Sequence, residues 1–97
     1  MKDKVIAICP GSFDPVTLGH LDIITRASNM FHKVIVVVAG NSSKHCSFSP
    51  EERVELISKC ITNLPNVTVE HYGGLLADYA ADVGATAIIK GLRAMSD

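Results

Sequence analysis

No excess of charge of either sign marks this chain: nine lysines and arginines face ten aspartates and glutamates, a formal net charge of −1. Without a one-sided field, nucleic acid and anionic membrane are not expected partners. An anion must be met by a few local cations, which is the pattern of a small-molecule site. Long apolar runs are missing too: the longest are of strand length, far short of the roughly 20 residues of a transmembrane helix. Met1-Lys2-Asp3-Lys4 leads directly into an apolar strand, with no h-region and no small-residue cleavage site. Cysteine is sparse and unpaired in number. Cys9, Cys46 and Cys60 are widely spaced, which suits reduced thiols and a cytoplasmic location. Cys9 and Cys60 fall on apolar positions and are expected as small core residues. Cys46 adjoins His45 but lacks further ligands, so no protein metal site is assigned. Internal repeats and low-complexity segments are absent, and nothing reads as a covalent nucleophile.

What is present is an ordinary globular composition: 97 residues, 47% hydrophobic and 20% charged. That is enough for one domain, 1–97, with a single modest core. Two periods alternate along it. Val5–Cys9, Val34–Ala39, Val67–Tyr72 and Ala85–Ile89 are rich in valine and isoleucine and are predicted strands. Leu18, Leu21, Ile24, Ala27 and Phe31 recur at helical spacing, as do Val54, Ile57, Cys60, Ile61 and Leu64. Ser49, Pro50 and Glu52 form a capping box with proline at the first helical position, so the second helix starts there. A third, short helix runs from about Leu75 to Val83 and stops at Gly84.

The order βαβαβαβ implies parallel strands joined by right-handed crossovers, an α/β Rossmann-like fold. The third strand alternates partly and suits a half-exposed edge. The first, second and fourth read as covered on both faces. A strand order of 3-2-1-4 follows, with the switch point between strands one and four. It leaves the apolar fourth strand at an edge, so a fifth strand is expected beside it that the sequence does not contain.

The segment Pro10-Gly11-Ser12-Phe13-Asp14-Pro15-Val16-Thr17-Leu18-Gly19-His20 joins the first strand to the first helix. A strand running through a glycine-containing loop into a helix gathers free backbone N–H groups and a positive helix end. That combination holds phosphate. Lys44 lies in the loop after strand two, and Lys90-Gly91-Leu92-Arg93 follows strand four. Ligands in such sheets bind beyond the strand carboxyl ends, at the switch point. Taken singly, each residue has a plainer reading. Gly11 and Gly91 could be turn residues, Lys44 solvated, Arg93 surface decoration and His20 a hydrogen-bonded, partly buried histidine. Their convergence on one crevice favours a site.

Pro10–Pro15 with Thr17-Leu18-Gly19-His20 resembles the nucleotidyltransferase signature. Ser43-Lys44, Phe48-Ser49-Pro50-Glu51-Glu52-Arg53-Val54 and Ile89-Lys90-Gly91-Leu92-Arg93-Ala94 are more selective. Together, and in order along the whole chain, they resemble the phosphopantetheine adenylyltransferase family. Ser12 stands where the family often has threonine and keeps the hydroxyl. Lys90 stands where arginine is common, keeping charge but losing a bidentate grip. The family continues beyond the position of Asp97 with an acidic-aromatic stretch, a strand and a serine-rich motif that holds ATP phosphates. The expectation is therefore of the N-terminal part of that domain, with little activity until extended through that motif.

The resemblance implies transfer of AMP from ATP to 4′-phosphopantetheine, giving dephospho-CoA and pyrophosphate in coenzyme A biosynthesis. It implies catalytic roles for His20, Lys44 and Arg93, with His20 on the α-phosphate. Ser12, Phe13, His20, Gly91, Leu92 and Arg93 would bind ATP. Ser12, Lys44 and Lys90 would hold the acceptor, with Leu76 along its apolar arm. Mg²⁺ is implied on the triphosphate, held more by substrate and water than by protein. A homohexamer and inhibition by CoA are also implied. Cytidylyltransferases and mononucleotide adenylyltransferases are the rivals within nucleotidyl transfer; they often have histidine at the position of Thr17 and lack the Lys-Gly-Leu-Arg run. A non-catalytic phosphopantetheine- or CoA-binding module and a purely structural piece that associates through its fourth strand are the readings outside it.

Overall fold

Five consecutive β-branched residues decide the centre of the molecule. In β2 (Lys33–Ala39), Val34, Val36, Val37 and Val38 are wholly buried and Ile35 nearly so, as in a strand covered on both faces. The computed structural model describes residues 4–13, 16–39 and 49–89. Around β2 stand β1 (Ile6–Gly11), α1 (Leu18–Met30), α2 (Pro50–Cys60), β3 (Val67–Tyr72), α3 (Leu76–Val83) and β4 (Ala85–Ile88).

The sheet is four-stranded in the order β3-β2-β1-β4, with every pairing parallel. This is the expected α/β Rossmann-like arrangement. Alternation along the strands sorts the core into two layers. Cys9, Val34, Val36 and Val38 meet Ile24, Ala27, Ile57 and Ile61 of the α1 and α2 side. Ile8, Ile35 and Val37 meet Tyr79 of α3 on the opposite face. Two helices therefore lie on one face and one on the other, as crossovers that run outward to β3 and then back to β4 require.

The helix ends follow local chemistry. Ser49 Oγ accepts from the Glu52 N–H at 3.1 Å, and Glu52 Oε1 accepts from the Ser49 N–H at 2.8 Å. The expected capping box of α2 is thus formed. Gly84 closes α3 with φ 77°, a left-handed conformation that glycine adopts without steric cost. The C-terminus of α1 has no glycine. Instead Asn66 Nδ2 donates to the carbonyls of Ser28, Phe31 and His32 at 2.9, 3.2 and 3.3 Å. A side chain from the turn before β3 thereby satisfies orphan carbonyls of the helix end.

Two expectations are corrected. Cys60 is exposed, not a core residue. The buried line of α2 is Arg53, Ile57 and then Ile61, an i, i+4 series that leaves Cys60 on its flank. The fourth strand is not covered on both faces: Thr86 and Ile88 are exposed, and Ile88 is 45% exposed. It pairs only with β1 among the described residues. None of the described residues forms a fifth strand beside β4, and residues Gly40 to Phe48 of the loop after β2 lie outside the described residues. Cys9 is buried, and burial pushes its thiol up to about 11. No described helix is long and apolar enough to cross a membrane.

Candidate functional site

Where β1 ends, the chain turns on Phe13. Its φ is 49°, left-handed backbone that costs a bulky residue roughly 1–2 kcal/mol. Packing offsets the cost, since the ring is 1% exposed and belongs to the α1–α2 core layer. Gly11 stands tightly against the Phe13 ring. A Cβ there would lie 3.0 Å from the Phe13 ring. The ring also stands edge-on to the His20 imidazole, with centroids 4.8 Å apart and planes at 68°.

His20 belongs to a second capping box, at the start of α1. The Thr17 N–H donates to His20 Nδ1 at 2.9 Å, and Thr17 Oγ1 lies 3.0 Å from the same nitrogen. In return the His20 N–H donates to Thr17 Oγ1 at 3.3 Å. A backbone N–H can only donate, so Nδ1 carries the lone pair and Nε2 carries the proton. Desolvation by partial burial lowers the His20 pKa from its ordinary 6.5. The ring is therefore a neutral donor through Nε2–H. No acidic residue stands in the first turn of α1, so the positive helix end is left to an incoming anion.

The topology supplies the rest of the setting. β1 lies between β2 and β4; β1 and β2 run out together, with Gly11 beside Val38, while the described β4 ends at Ile88 beside Ile8, further back along β1. The structure brings together Phe13 and His20, with Ser12 exposed on the loop between β1 and α1. Leu76 does not join them: it opens α3 and packs against the core layer of Ile8, Ile35, Val37 and Tyr79. Lys44, Lys90, Gly91, Leu92 and Arg93 lie outside the described residues. Among the described residues, no group of three or more His, Cys, Asp or Glu gathers to hold a metal. The donor set at the loop, amides and an imidazole N–H, suits phosphate oxygens.

Sequence reasoning missed two contributors. Thr17-x-x-His20 is a capping box with histidine where glutamate or glutamine is usual. Arg53 had no assigned role, yet it is 2% exposed and its Nη1 donates to the Ser12 carbonyl at 2.8 Å. The available signal was its phase: it lies four residues before Ile57 and eight before Ile61, on the apolar stripe.

Comparison with known proteins agrees with this geometry. A NadR protein in complex with NR superposes with a TM-score of 0.66 at 22% identity, over 75% of this chain and 21% of that one. The bifunctional NMN adenylyltransferase/ADP ribose pyrophosphatase of Francisella tularensis, complexed with AMP and a Mn ion, gives 0.63 at 24% identity. That match covers 84% of this chain and 25% of the other. The chain thus spans between a fifth and a quarter of the length of these proteins, and the likeness is one of fold. Residues 8–97 match the cytidylyltransferase-like family. The matched range includes the β1–α1 loop and His20, and the chain belongs to the cytidylyltransferase-like family of the nucleotidyltransferase superfamily.

Proposed function

We propose that the protein transfers the adenylyl group of ATP to 4′-phosphopantetheine, releasing pyrophosphate and forming dephospho-CoA. The observation that carries nucleotidyl transfer is the neutral His20, held by Thr17 at the positive end of α1 with Nε2–H free of the capping box. The choice of acceptor is supported by sequence: Ser43-Lys44, the Phe48–Val54 segment and Lys90-Gly91-Leu92-Arg93.

The acceptor is itself a phosphate, so no protein nucleophile is needed. Its oxygen attacks the α-phosphorus in line, and the bond from that phosphorus to the bridging oxygen of pyrophosphate breaks. Catalysis consists of positioning and of donors aimed at developing negative charge. His20 Nε2–H meets the α-phosphate oxygen. Ser12 and the Phe13 backbone hold the nucleotide, Gly91, Leu92 and Arg93 enclose it, and Lys44 and Lys90 bind the acceptor phosphate. A divalent cation such as Mg²⁺, held by the triphosphate oxygens and water rather than by described side chains, would neutralise part of the charge.

The test is pyrophosphate release by the full-length protein with MgATP and 4′-phosphopantetheine, beside parallel reactions with CTP and with nicotinamide mononucleotide. Release that requires both ATP and phosphopantetheine supports the reading. Faster turnover of CTP or of the mononucleotide overturns the substrate assignment. Lys44→Ala should raise the KM for phosphopantetheine more than that for ATP.

A further inference from the structure

The one fully buried charge among the described residues sits beneath the nucleotide loop rather than in an ion pair. The described ion pairs, Asp22–Arg26 and Glu55–Lys59, are on exposed helix faces. Arg53 is satisfied by carbonyls instead. Nη1 donates to Ser12 O at 2.8 Å, and Nε to Ser49 O at 3.4 Å. One planar cation thus ties the loop after β1 to the first turn of α2. Burial of an arginine that meets only carbonyls among the described residues is costly, so a bond of this kind is expected to do more than fill space.

We propose that Arg53 is a positioning residue for phosphate binding by the loop between β1 and α1. Its action runs through a single peptide unit. In a trans peptide the C=O and the following N–H point in opposite directions. Arg53 draws the Ser12 carbonyl inward, so the Phe13 N–H on the same unit is turned away from the guanidinium, outward. The same peptide unit leads into Phe13, whose φ is 49° and whose ring stands edge-on to His20. One buried fork therefore aims a backbone donor and backs the imidazole beside it. The positive charge, one hydrogen bond from the loop, adds to its attraction for an anion in a site of low dielectric. Lysine cannot substitute, because a point charge lacks the planar fork that reaches two carbonyls. The assignment rests on reading this loop as the nucleotide site.

The test uses Arg53→Lys and Arg53→Gln in the full chain, with MgATP affinity measured by calorimetry and folding checked by thermal unfolding. Both variants should bind MgATP about tenfold or more weakly, as for a lost charge-assisted contact. The Phe13 backbone carbon shifts should move from left-handed towards extended values in the ligand-free chain. Folded variants with unchanged affinity and unchanged Phe13 shifts overturn the proposal. If neither variant folds, the wild-type guanidinium resonances decide. The Arg53 signal should shift on adding MgATP while exposed Arg26 stays still, and an unmoved Arg53 signal overturns it. Moved Phe13 shifts in the variants of a protein that binds no nucleotide would sink the functional reading while leaving Arg53 as the residue that sets the loop.

Discussion

At the scale of single residues, His20 carries two duties that substitution can separate. It accepts from the Thr17 N–H at the start of α1, and its Nε2–H is left for a ligand. His20→Ala removes both. Turnover should fall by about 10²–10³, as for loss of one transition-state donor, and the helix start should lose about 1 kcal/mol. His20→Gln restores an acceptor at the capping position; it should recover the stability but not the turnover. Equal recovery of both in a kinetic and thermal comparison would make His20 a cap and nothing more. Proton linkage gives a second check. The folded pKa lies below the ordinary 6.5, so the unfolded chain binds the proton more readily. The contribution of the neutral ring is complete above that ordinary value and fades as pH falls through the lower, folded one. Wild-type Tm should therefore drop faster than that of His20→Gln between about pH 7 and pH 5. Parallel curves would contradict the desolvated, neutral ring.

Elements in this fold are finished by contacts that a window of sequence only partly reveals. The start of α2 is written locally, in Ser49, Pro50 and Glu52, and the end of α3 in Gly84. The end of α1 is not, because its cap is Asn66, 38 residues beyond the Ser28 carbonyl it serves. Asn66→Asp tests this cap. An aspartate has no donor to offer and sets negative charge against the same carbonyls, whereas alanine merely leaves them to water. Asn66→Asp should cost about 1–3 kcal/mol, more than Asn66→Ala, in urea titrations followed by circular dichroism. Equal costs would mean that the amide only fills space. The β4 edge shows the converse limit. Its residues are apolar enough for an interior strand, yet a residue's exposure depends on the neighbours that pack on it, and α3 leaves Ile88 uncovered.

Over the whole molecule, the two described thiols report what the packing protects. Cys9 is wholly buried in the α1–α2 layer, its thiol pushed up to about 11, while Cys60 is exposed. Iodoacetamide should alkylate Cys60 in the native protein, and Cys9 only once the sheet opens, as mass spectrometry of the peptides can show. Early labelling of Cys9 would mean that β1 is not interior.

The fold itself was legible in the sequence. Periodicity located seven elements, and the Val34–Val38 run, the partly alternating third strand and the βαβ connections fixed their order, since strand burial and crossover handedness follow from local pattern. The connection from β1 to the capped start of α1 was legible too, because it is a contiguous stretch of backbone. Contacts between residues far apart in the chain were not: Arg53 beneath Ser12 and Asn66 beneath α1. Local sequence therefore decided which helices and strands exist and where the turn proposed to bind an anion lies. Only tertiary packing decided which buried cation meets that turn, because Arg53 and Ser12 come within hydrogen-bond distance only in the folded molecule.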